Sequence, residues 1–277
     1  MKKIGLFVNG HKGFSVLEAI KDNLDISFVV VSNKEEEEKF GVKLLDRMDV
    51  TPDLFESVDF VFCLGWTFLI HNPPDNMIVL HDSPLPKYRG FCPTVAALIN
   101  AEKEIGVTAF RAIEEIDAGP VCAQKTKKVV YPIKVKEAYS KLINLYCEVI
   151  EEVINAEGLT FTEQRHAEAT YCLWRDRLDY NINWSDSNFN IRNFVDAVGE
   201  PYDGAATTYD GSEITIDDVE LVTIDLKFVD RQPGKIWSIK NNKPEIVCGE
   251  GMLRILSARH RDSGFPVQFN KLRKRLV

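Results

Sequence analysis

Residues 81–90 of the chain read HDSPLPKYRG, and they follow directly on the apolar run MIVL at 77–80. A short apolar run bounded by turn residues is typical of a buried strand, so the sequence predicts a strand that ends at an imidazole. Pro84 and Pro86 fix φ and lack a backbone donor, which predicts a rigid loop after the strand. Such a histidine is either a base held against a substrate or a strand-end residue satisfied by its neighbours. For a histidine alone, the second interpretation is the commoner.

A second segment, IDAGP at 116–120, follows the apolar run VTAF at 107–110 and an acidic pair. The pattern H-x-S-x-L-P-K-x-R-G at 81–90 and the D-A-G at 117–119 together resemble the signature of the folate-dependent formyltransferases in letters, order and spacing. That family includes methionyl-tRNA formyltransferase, glycinamide ribonucleotide formyltransferase and the sugar N-formyltransferases. The resemblance implies N10-formyltetrahydrofolate as the formyl donor and His81 and Asp117 as the catalytic residues. No metal ion is expected.

The resemblance also implies two sets of binding residues. The pocket for the pterin ring of the folate would be lined by Gly65, Trp66, Thr67, Phe68, Ile70, Glu114, Glu115 and Ile116. The acceptor would be held by basic, aromatic and loop residues, namely His11, Lys12, Ser83, Lys87, Tyr88, Arg89, Gly90, Trp174, Arg175 and Arg177. The alternatives are that Trp66 and Phe68 are core aromatics and that His11 and Lys12 lie in a plain surface turn.

Formyl transfer to an amine passes through a tetrahedral intermediate that carries a negatively charged oxygen. An imidazole can take the proton of the attacking amine or stabilise that oxygen as a cation, and a carboxylate can orient the imidazole and relay the proton. His81 and Asp117 fit these two roles. One predicted helix and one predicted strand lie between them in the sequence. We therefore expect them to meet on adjacent strand ends.

Two positions depart from the family pattern. The family has an asparagine two residues before the histidine, where its carboxamide would donate a hydrogen bond to the formyl oxygen, and Val79 stands there instead. Asn76 comes too early in the chain to replace it. Loss of one such donor costs around a hundredfold or more in rate. Either His81 or a backbone N–H carries that load, or the activity has weakened or changed. The proline often found after the histidine is replaced by Asp82.

Strands and helices alternate over the first two-thirds of the chain, which predicts a doubly wound, Rossmann-like α/β domain with a mostly parallel sheet. Strands are predicted at 3–9, 26–32, 60–64, 77–80, 107–111 and 121–124, and helices at 16–23, 94–102 and 136–157. Ser15 is the predicted N-cap of the first helix. Ligands would lie at the carboxyl ends of the strands, where His81 and Trp66 are expected.

The C-terminal part is predicted to be a separate β domain. The sequence INWS at 182–185, a helix predicted from Ser185 or Asp186, and PYDGA at 201–205 resemble the linker of the tRNA and sugar enzymes. Short apolar runs with glycine turns at 233–236, 246–251 and 253–256 predict a small, OB-like β-barrel. The predicted domains are a catalytic domain at 1–184, a linker helix at 185–204 and an OB-like domain at 205–277.

Composition limits the class of protein. With 45% hydrophobic and 27% charged residues, the chain of 277 residues has the composition of an ordinary soluble globular protein. No apolar run approaches the length that a bilayer requires, so no membrane segment is expected. The cysteines are scattered, at positions 63, 92, 122, 147, 172 and 248. Their spacing predicts buried thiols in a reducing cytoplasm, without zinc sites or disulfides.

Charge bears on the acceptor. The net charge of −8 disfavours a tRNA-sized acceptor, because nucleic-acid binding depends on Lys and Arg contacts to phosphates. The acidic run EEEE at 35–38 lies where the tRNA enzymes are expected to carry a basic loop, and the basic segment KLRKR at 271–275 is interpreted as a solvated tail. We expect a homodimeric enzyme that acts on a nucleotide-linked amino sugar, with no nucleic-acid partner. The alternatives are methionyl-tRNA formyltransferase and a catalytically lapsed binding protein, which Val79 favours.

Overall fold

The computed structural model describes residues 1–32, 44–47, 50–68, 70–224 and 226–277, which form two compact units. The first unit comprises Met1–Pro93, Glu104–Val129 and Ala138–Leu173, and the second comprises Thr94–Lys103, Val130–Glu137 and Trp174–Val277. The predicted domain limits at 184 and 204 stay a prediction. The acidic run at 35–38 lies outside the described residues. Among the residues described, no helix combines the length and the apolar character that a bilayer crossing needs.

The first unit contains a seven-stranded sheet. Its strands in chain order are β1 (Lys3–Val8), β2 (Asp25–Val31), β3 (Leu44–Asp46), β4 (Phe60–Leu64), β5 (Met77–His81), β7 (Glu104–Arg111) and β8 (Val121–Lys128). A separate parallel pair joins β6 (Arg89–Gly90) to β9 (Tyr171–Cys172). The order across the large sheet is β3-β2-β1-β4-β5-β7-β8. The first five of these are parallel, whereas β7 runs antiparallel to both β5 and β8. The predicted mostly parallel α/β sheet is confirmed.

The helices of the chain are α1 (Gly10–Ile20), α2 (Pro52–Glu56), α3 (Pro93–Ile99), α4 (Val135–Asn155) and α5 (Asn188–Ala197). The predicted start of the first helix, with Ser15 as its cap, is wrong, because α1 already begins at Gly10 and the Ser15 hydroxyl donates to the carbonyl of His11 inside it. Gly13 also lies within α1. A side chain does not fit at this position, because a Cβ there would stand 2.5 Å from the carbonyl oxygen of Leu64. A glycine that seemed to mark a turn thus allows the helix to approach β4 closely.

The second unit contains a five-stranded antiparallel sheet with the order β10-β11-β14-β13-β12. Its strands are β10 (Ala205–Tyr209), β11 (Ser212–Leu221), β12 (Ile236–Lys240), β13 (Lys243–Val247) and β14 (Met252–His260). Helix α5 is capped by Ser187, whose hydroxyl accepts from the backbone N–H of Asn190, and it packs on β11. The separate antiparallel sheet agrees with the predicted small barrel domain.

The C-terminal segment joins the two outer strands of this sheet. Thr208 of β10 exchanges backbone hydrogen bonds with Val277 at 2.7 and 3.2 Å. On the other side, the N–H of Ile236 donates to Lys274 and the N–H of Leu276 donates to Gly234, at 3.1 and 2.8 Å. The prediction of a tail is therefore wrong, although the side chains of Lys271, Arg273 and Arg275 are exposed as expected. Backbone pairing to both edges closes the sheet, which removes the exposed strand edges that a small β domain must otherwise protect.

Candidate functional site

His81 ends β5 at the carboxyl edge of the parallel part of the sheet. In the neighbouring β4, Leu64 pairs with Leu80, so the turn that starts at Gly65 begins beside the histidine. Side chains two residues apart in a strand share a face, and Val79 therefore projects from the same face as His81. Val79 packs on the core cluster that contains Phe7 and Cys63.

His81 and Asp117 come together. The Nδ1 atom of His81 lies 3.5 Å from Oδ2 of Asp117, and the histidine is only 7% exposed. The same carboxylate oxygen accepts the backbone N–H of Gly90 at 2.7 Å. On the other side of the ring, Nε2 lies 2.8 Å from the carbonyl oxygen of Tyr88. A carbonyl only accepts, so the ring carries its hydrogen on Nε2 in this arrangement, and Nδ1 faces the carboxylate.

The expected route to this contact, adjacent strand ends, is wrong. His81 pairs with Thr108, and Arg111 at the end of β7 pairs with Ile78, so the antiparallel β7 leads away from the histidine. Asp117 returns in the connection to β8. It has a left-handed φ of +51°, and a Cβ at Gly119 would stand 1.9 Å from the carbonyl oxygen of Arg111. The D-A-G motif therefore makes a tight return that brings the carboxylate back to the imidazole.

Arg89 and Gln164 hold this return in place. The Arg89 side chain is fully buried, and its Nε and Nη2 donate to Oε1 of Gln164 at 3.1 and 2.8 Å. The carboxamide of Gln164 then donates to the carbonyls of Asp117 and Gly119, at 2.9 and 2.7 Å. The predicted contact of Arg89 with a substrate does not fit this burial. Gln164 was missed because a single glutamine carries no motif or spacing signal.

Hydrogen bonds to Ser83 fix the conformation of the loop at 81–90. The Ser83 hydroxyl donates to the carbonyl of Lys87 at 2.6 Å, and Thr108 donates to the carbonyl of Ser83 at 2.7 Å. Ser83 is buried, so its predicted contact with the acceptor does not fit either, whereas Lys87 is exposed. Tyr88 has a left-handed φ of +60° and lies in the turn before Gly90. The loop is thus preorganised, as expected from its prolines.

Lys12 is paired with a buried acid. Its ammonium makes an ion pair with Asp82, the residue that replaces the family's proline. Burial raises the pKa of the neighbouring Tyr146 well above its usual value, and the charge of Asp82, its hydrogen bond and the charge of Asp117 raise it further. Lys12 therefore lies in α1, neutralised by Asp82, which weakens its predicted contact with a phosphate. His11 is exposed on the first turn of α1.

The predicted pterin segment divides into packed and exposed residues. Gly65 turns the chain with a φ of +63°, and Trp66 packs edge-on against Phe7, with ring centroids 5.0 Å apart. Thr67 accepts a hydrogen bond from the side chain of Asn9, and Phe68 is 39% exposed. The indole N–H of Trp66 is buried and has no partner among the described residues. Trp66 is thus a partly core aromatic with an unused donor.

The remaining predicted site residues lie in three different parts of the chain. Ile70 packs on the same core cluster as Trp66. In the return between β7 and β8, the predicted cofactor residues Glu114, Glu115 and Ile116 are exposed, and Glu115 lies 3.6 Å from Arg89. The predicted acceptor residues Trp174, Arg175 and Arg177 belong to the second unit. Trp174 is exposed, Arg175 donates to the carbonyl of Asp179, and Arg177 pairs with Glu213.

Within the described residues, no group of three or more His, Cys, Asp or Glu side chains is arranged to hold a metal ion. All six cysteines are free thiols, and Cys63, Cys172 and Cys248 are buried. Burial raises the pKa of Cys63 and Cys248 to about 12, so these thiols are not reactive nucleophiles. The polar chemistry of the described site therefore centres on His81 and Asp117.

Comparison with known proteins identifies the class. The Formyl transferase family model matches residues 4–154, and the model for the Formyl transferase, C-terminal domain, matches residues 176–264. The chain therefore belongs to the formyl transferase family, and the predicted membership is confirmed. The two matches cover most of both compact units.

Solved structures share the fold. HypX from Aquifex aeolicus, in complex with tetrahydrofolic acid, is 20% identical with a TM-score of 0.61 over 95% of this chain, which spans 44% of the HypX chain. WlaRD, a sugar 3N-formyl transferase, is 20% identical with a TM-score of 0.67, over 98% of this chain and 99% of its own. An N-formyltransferase from Helicobacter canadensis, in complex with folinic acid and dTDP-3-aminofucose, is 18% identical with a TM-score of 0.66, over 92% and 99%.

Proposed function

We propose that this protein is an N-formyltransferase that moves a formyl group from N10-formyltetrahydrofolate to the amine of a nucleotide-linked amino sugar. The acceptor we favour is a UDP- or dTDP-linked 4-amino-dideoxy sugar. The observation that carries the proposal is the contact of His81 with Asp117 beside the turn at Gly65. In such a site a formyl group and an amine would meet a cation and a carboxylate within one preorganised loop.

The proposed reaction follows from these two groups. The neutral amine nitrogen attacks the formyl carbon, a C–N bond forms, and the carbonyl electrons move onto the formyl oxygen. The imidazolium of His81 stabilises that oxygen. The attacking nitrogen then loses a proton, the bond from the formyl carbon to N10 breaks, and N10 gains a proton. Asp117 holds the imidazolium and can relay the proton, so the products are a formamide and tetrahydrofolate.

In this proposal, His81 contributes more to stabilising the negative charge on the formyl oxygen than the family pattern requires. Val79 offers no donor on the face of β5 where the pattern has a carboxamide, and it packs on apolar neighbours instead. The Nε2 hydrogen points to the carbonyl of Tyr88, 2.8 Å away, so the proposal requires it to turn from that carbonyl to the formyl oxygen when the donor binds. We infer that the imidazolium replaces the missing carboxamide as the main stabiliser of the oxyanion.

The charge distribution supports a small acceptor over tRNA. The chain has a net charge of −8, and its one obvious basic segment in sequence is used in closing the barrel sheet. Lys271 and Lys274 both pair with Asp210, and Arg275 donates to Gln232. These cations are committed within the second unit. WlaRD, which matches nearly end to end, is described as acting on a sugar.

The assembly and the cellular role are part of the same proposal. We propose a cytoplasmic homodimer whose formylated sugar nucleotide serves cell-surface glycan biosynthesis. The dimer is expected from the sugar branch of the family. Light scattering of the purified protein would measure a mass of about twice 31.5 kDa if it is correct, and a single-chain mass would contradict it.

The test is a formylation assay across a panel of UDP-, dTDP- and GDP-linked amino sugars, with amines at C3 and at C4, and with methionyl-tRNA as a further acceptor. We expect turnover on one or more dTDP- or UDP-linked sugars and none on tRNA. Salt-sensitive turnover on methionyl-tRNA would favour methionyl-tRNA formyltransferase. Folate binding without turnover on any amine would favour the lapsed binding protein, for which Val79 is the specific observation.

A further inference from the structure

A cavity of about 400 Å³ that is open to solvent lies at the surface of the second unit, and its polar lining residues are all exposed. Its polar wall consists of the carboxamides of Asn100, Asn181, Asn183 and Asn190 and the carboxylate of Asp186, and its apolar wall consists of isoleucines and Phe194. None of the described lining residues is a lysine, an arginine or a histidine. Nothing in the proposed formyl transfer uses this cavity, since His81 and Asp117 belong to the first unit.

The local structure fixes several of these groups. Asn100 follows the last residue of α3, and Ala101 turns the chain with a φ of +53°. Asn183 accepts the backbone N–H of Ser185 through Oδ1 and donates through Nδ2 to Asp186, both at 3.1 Å. Its carboxamide orientation is therefore set before any ligand arrives. The cavity is a built feature of the turn that precedes α5.

Two carboxamides remain free for a ligand. Asn181 and Asn190 use backbone groups in the turn and at the start of α5, and their exposed side chains have no hydrogen-bond partner among the described residues. Each free carboxamide offers both a donor and an acceptor. Both line the cavity alongside Phe194. A ligand could therefore gain paired hydrogen bonds on one side and apolar contact on the other.

We propose that this cavity binds a neutral sugar ring. Each hydroxyl of a sugar donates and accepts, which matches carboxamides, while the C–H face of the ring matches Phe194 and the isoleucines. A phosphate or a carboxylate would meet Asp186 and no cation among the lining residues, so anionic ligands are disfavoured. The volume falls within the range typical of small-molecule sites, about 300–1,000 Å³.

The experiment is saturation-transfer NMR on the full chain, with glucose, galactose and N-acetylglucosamine as probes. Glucose 6-phosphate and uridine are the anionic and nucleoside arms. We expect at least one neutral hexose to bind with a Kd of about 1–10 mM. Asn190→Leu, alone and with Asn181→Leu, should weaken that binding tenfold or more. The matched control is Asn270→Leu, which removes an exposed carboxamide elsewhere in the same unit.

Each outcome decides the proposal. Loss of hexose binding in Asn190→Leu, with retention in Asn270→Leu and in His81→Ala, supports it, and unchanged thermal unfolding excludes misfolding as the cause. It is overturned if no neutral hexose binds, if Asn190→Leu binds hexose as the wild type does, or if Asn190→Leu weakens the binding of uridine or glucose 6-phosphate more than it weakens that of the hexose. It is also overturned if His81→Ala abolishes the signal. Failure of formyl transfer in the assay above would leave this cavity untouched, so the two proposals fail separately.

Discussion

Val79 lies two residues before His81 on one face of β5, where the family pattern has a carboxamide donor. It packs on the core cluster that contains Phe7 and Cys63, so an apolar contact stands here in place of the polar group of the family pattern. His81 then remains as the donor to the oxyanion. Restoring the carboxamide tests whether this exchange limits the rate.

Val79→Asn is expected to raise kcat for formyl transfer by about tenfold. In other enzymes, removal of one preorganised donor to an oxyanion lowers kcat by about a hundredfold or more. The measurement is kcat with the best acceptor, alongside thermal unfolding. Val79→Thr is the matched control, since it has nearly the shape of valine without a carboxamide. A Val79→Asn protein with the unfolding midpoint of the wild type and an unchanged or lower kcat would contradict the assignment.

Gln164 links the buried Arg89 to the return that carries Asp117. Gln164→Leu should lower kcat by about tenfold or more and destabilise the protein by about 3 kcal/mol, because it leaves a buried guanidinium without its acceptor. Gln164→Glu should keep the pairing with Arg89 and still lower kcat, since it no longer donates to the carbonyls of Asp117 and Gly119.

The control for Gln164 is Glu163→Gln, a change at the exposed neighbouring position. Urea unfolding and kcat are measured for all three variants. If Gln164→Glu regains both stability and full turnover, then Gln164 only packs the loop and does not position Asp117.

Asp196 is a buried acidic residue on helix α5, which packs on β11. Burial raises the pKa of Asp196 to about 6, against the opposing pull of Lys134 and Arg192. The folded protein thus still binds this proton at pH values where the unfolded chain has lost it. The free energy of unfolding contributed by Asp196 is largest in acid and falls as the pH rises from about 4 to about 6.

Asp196→Asn should remove this dependence and stabilise the protein at neutral pH by on the order of 2 kcal/mol, with little effect below about pH 4. Urea unfolding across that range measures it. Asp262→Asn, at an exposed position of the same unit, should leave the pH dependence as in the wild type. The explanation fails if Asp196→Asn keeps the wild-type decline between pH 4 and pH 6.

The closing segment of the barrel domain is anchored by Leu276, which is 1% exposed. Leu276→Ala should destabilise the protein by about 2–4 kcal/mol, because it removes a buried side chain and leaves a cavity. Val277→Ala, whose side chain is largely exposed, should change the free energy of unfolding by less than about 0.5 kcal/mol. Equal effects of the two changes would show that the segment is not the closing element.

The sequence predicted the strands well where an apolar run alone defines them, as at β4 and β5. It did not predict that β7 runs antiparallel to β5, because periodicity shows the face of a strand but not its direction. The start of α1 was missed for a related reason. Gly10 and Gly13 are typical of a turn, and only the close approach of α1 to the carbonyl of Leu64 explains a glycine inside the helix.

At the scale of the whole molecule, the two-part organisation and the family were predictable because the motifs at 81–90 and 117–119 have fixed order and spacing. The environment of each charged residue was not predictable. The basic segment at 271–275 was interpreted as a tail, yet its side-chain partners Asp210 and Gln232 lie in connections between strands, more than 40 residues earlier in the chain. Arg89 is a further example. The residue belongs to the motif at 81–90, but its buried partner Gln164 lies 75 residues further along the chain.

The central claim is that His81 and Asp117 act together in formyl transfer. The most direct measurement is single-turnover formyl transfer from N10-formyltetrahydrofolate to the best sugar nucleotide of the panel, by the wild type, His81→Ala and Asp117→Asn, with folate affinity measured in parallel. We predict that both variants bind folate within about threefold of the wild type and transfer formyl at least about a hundredfold more slowly, with the double variant no slower than His81→Ala. Near wild-type turnover by either single variant would contradict the claim.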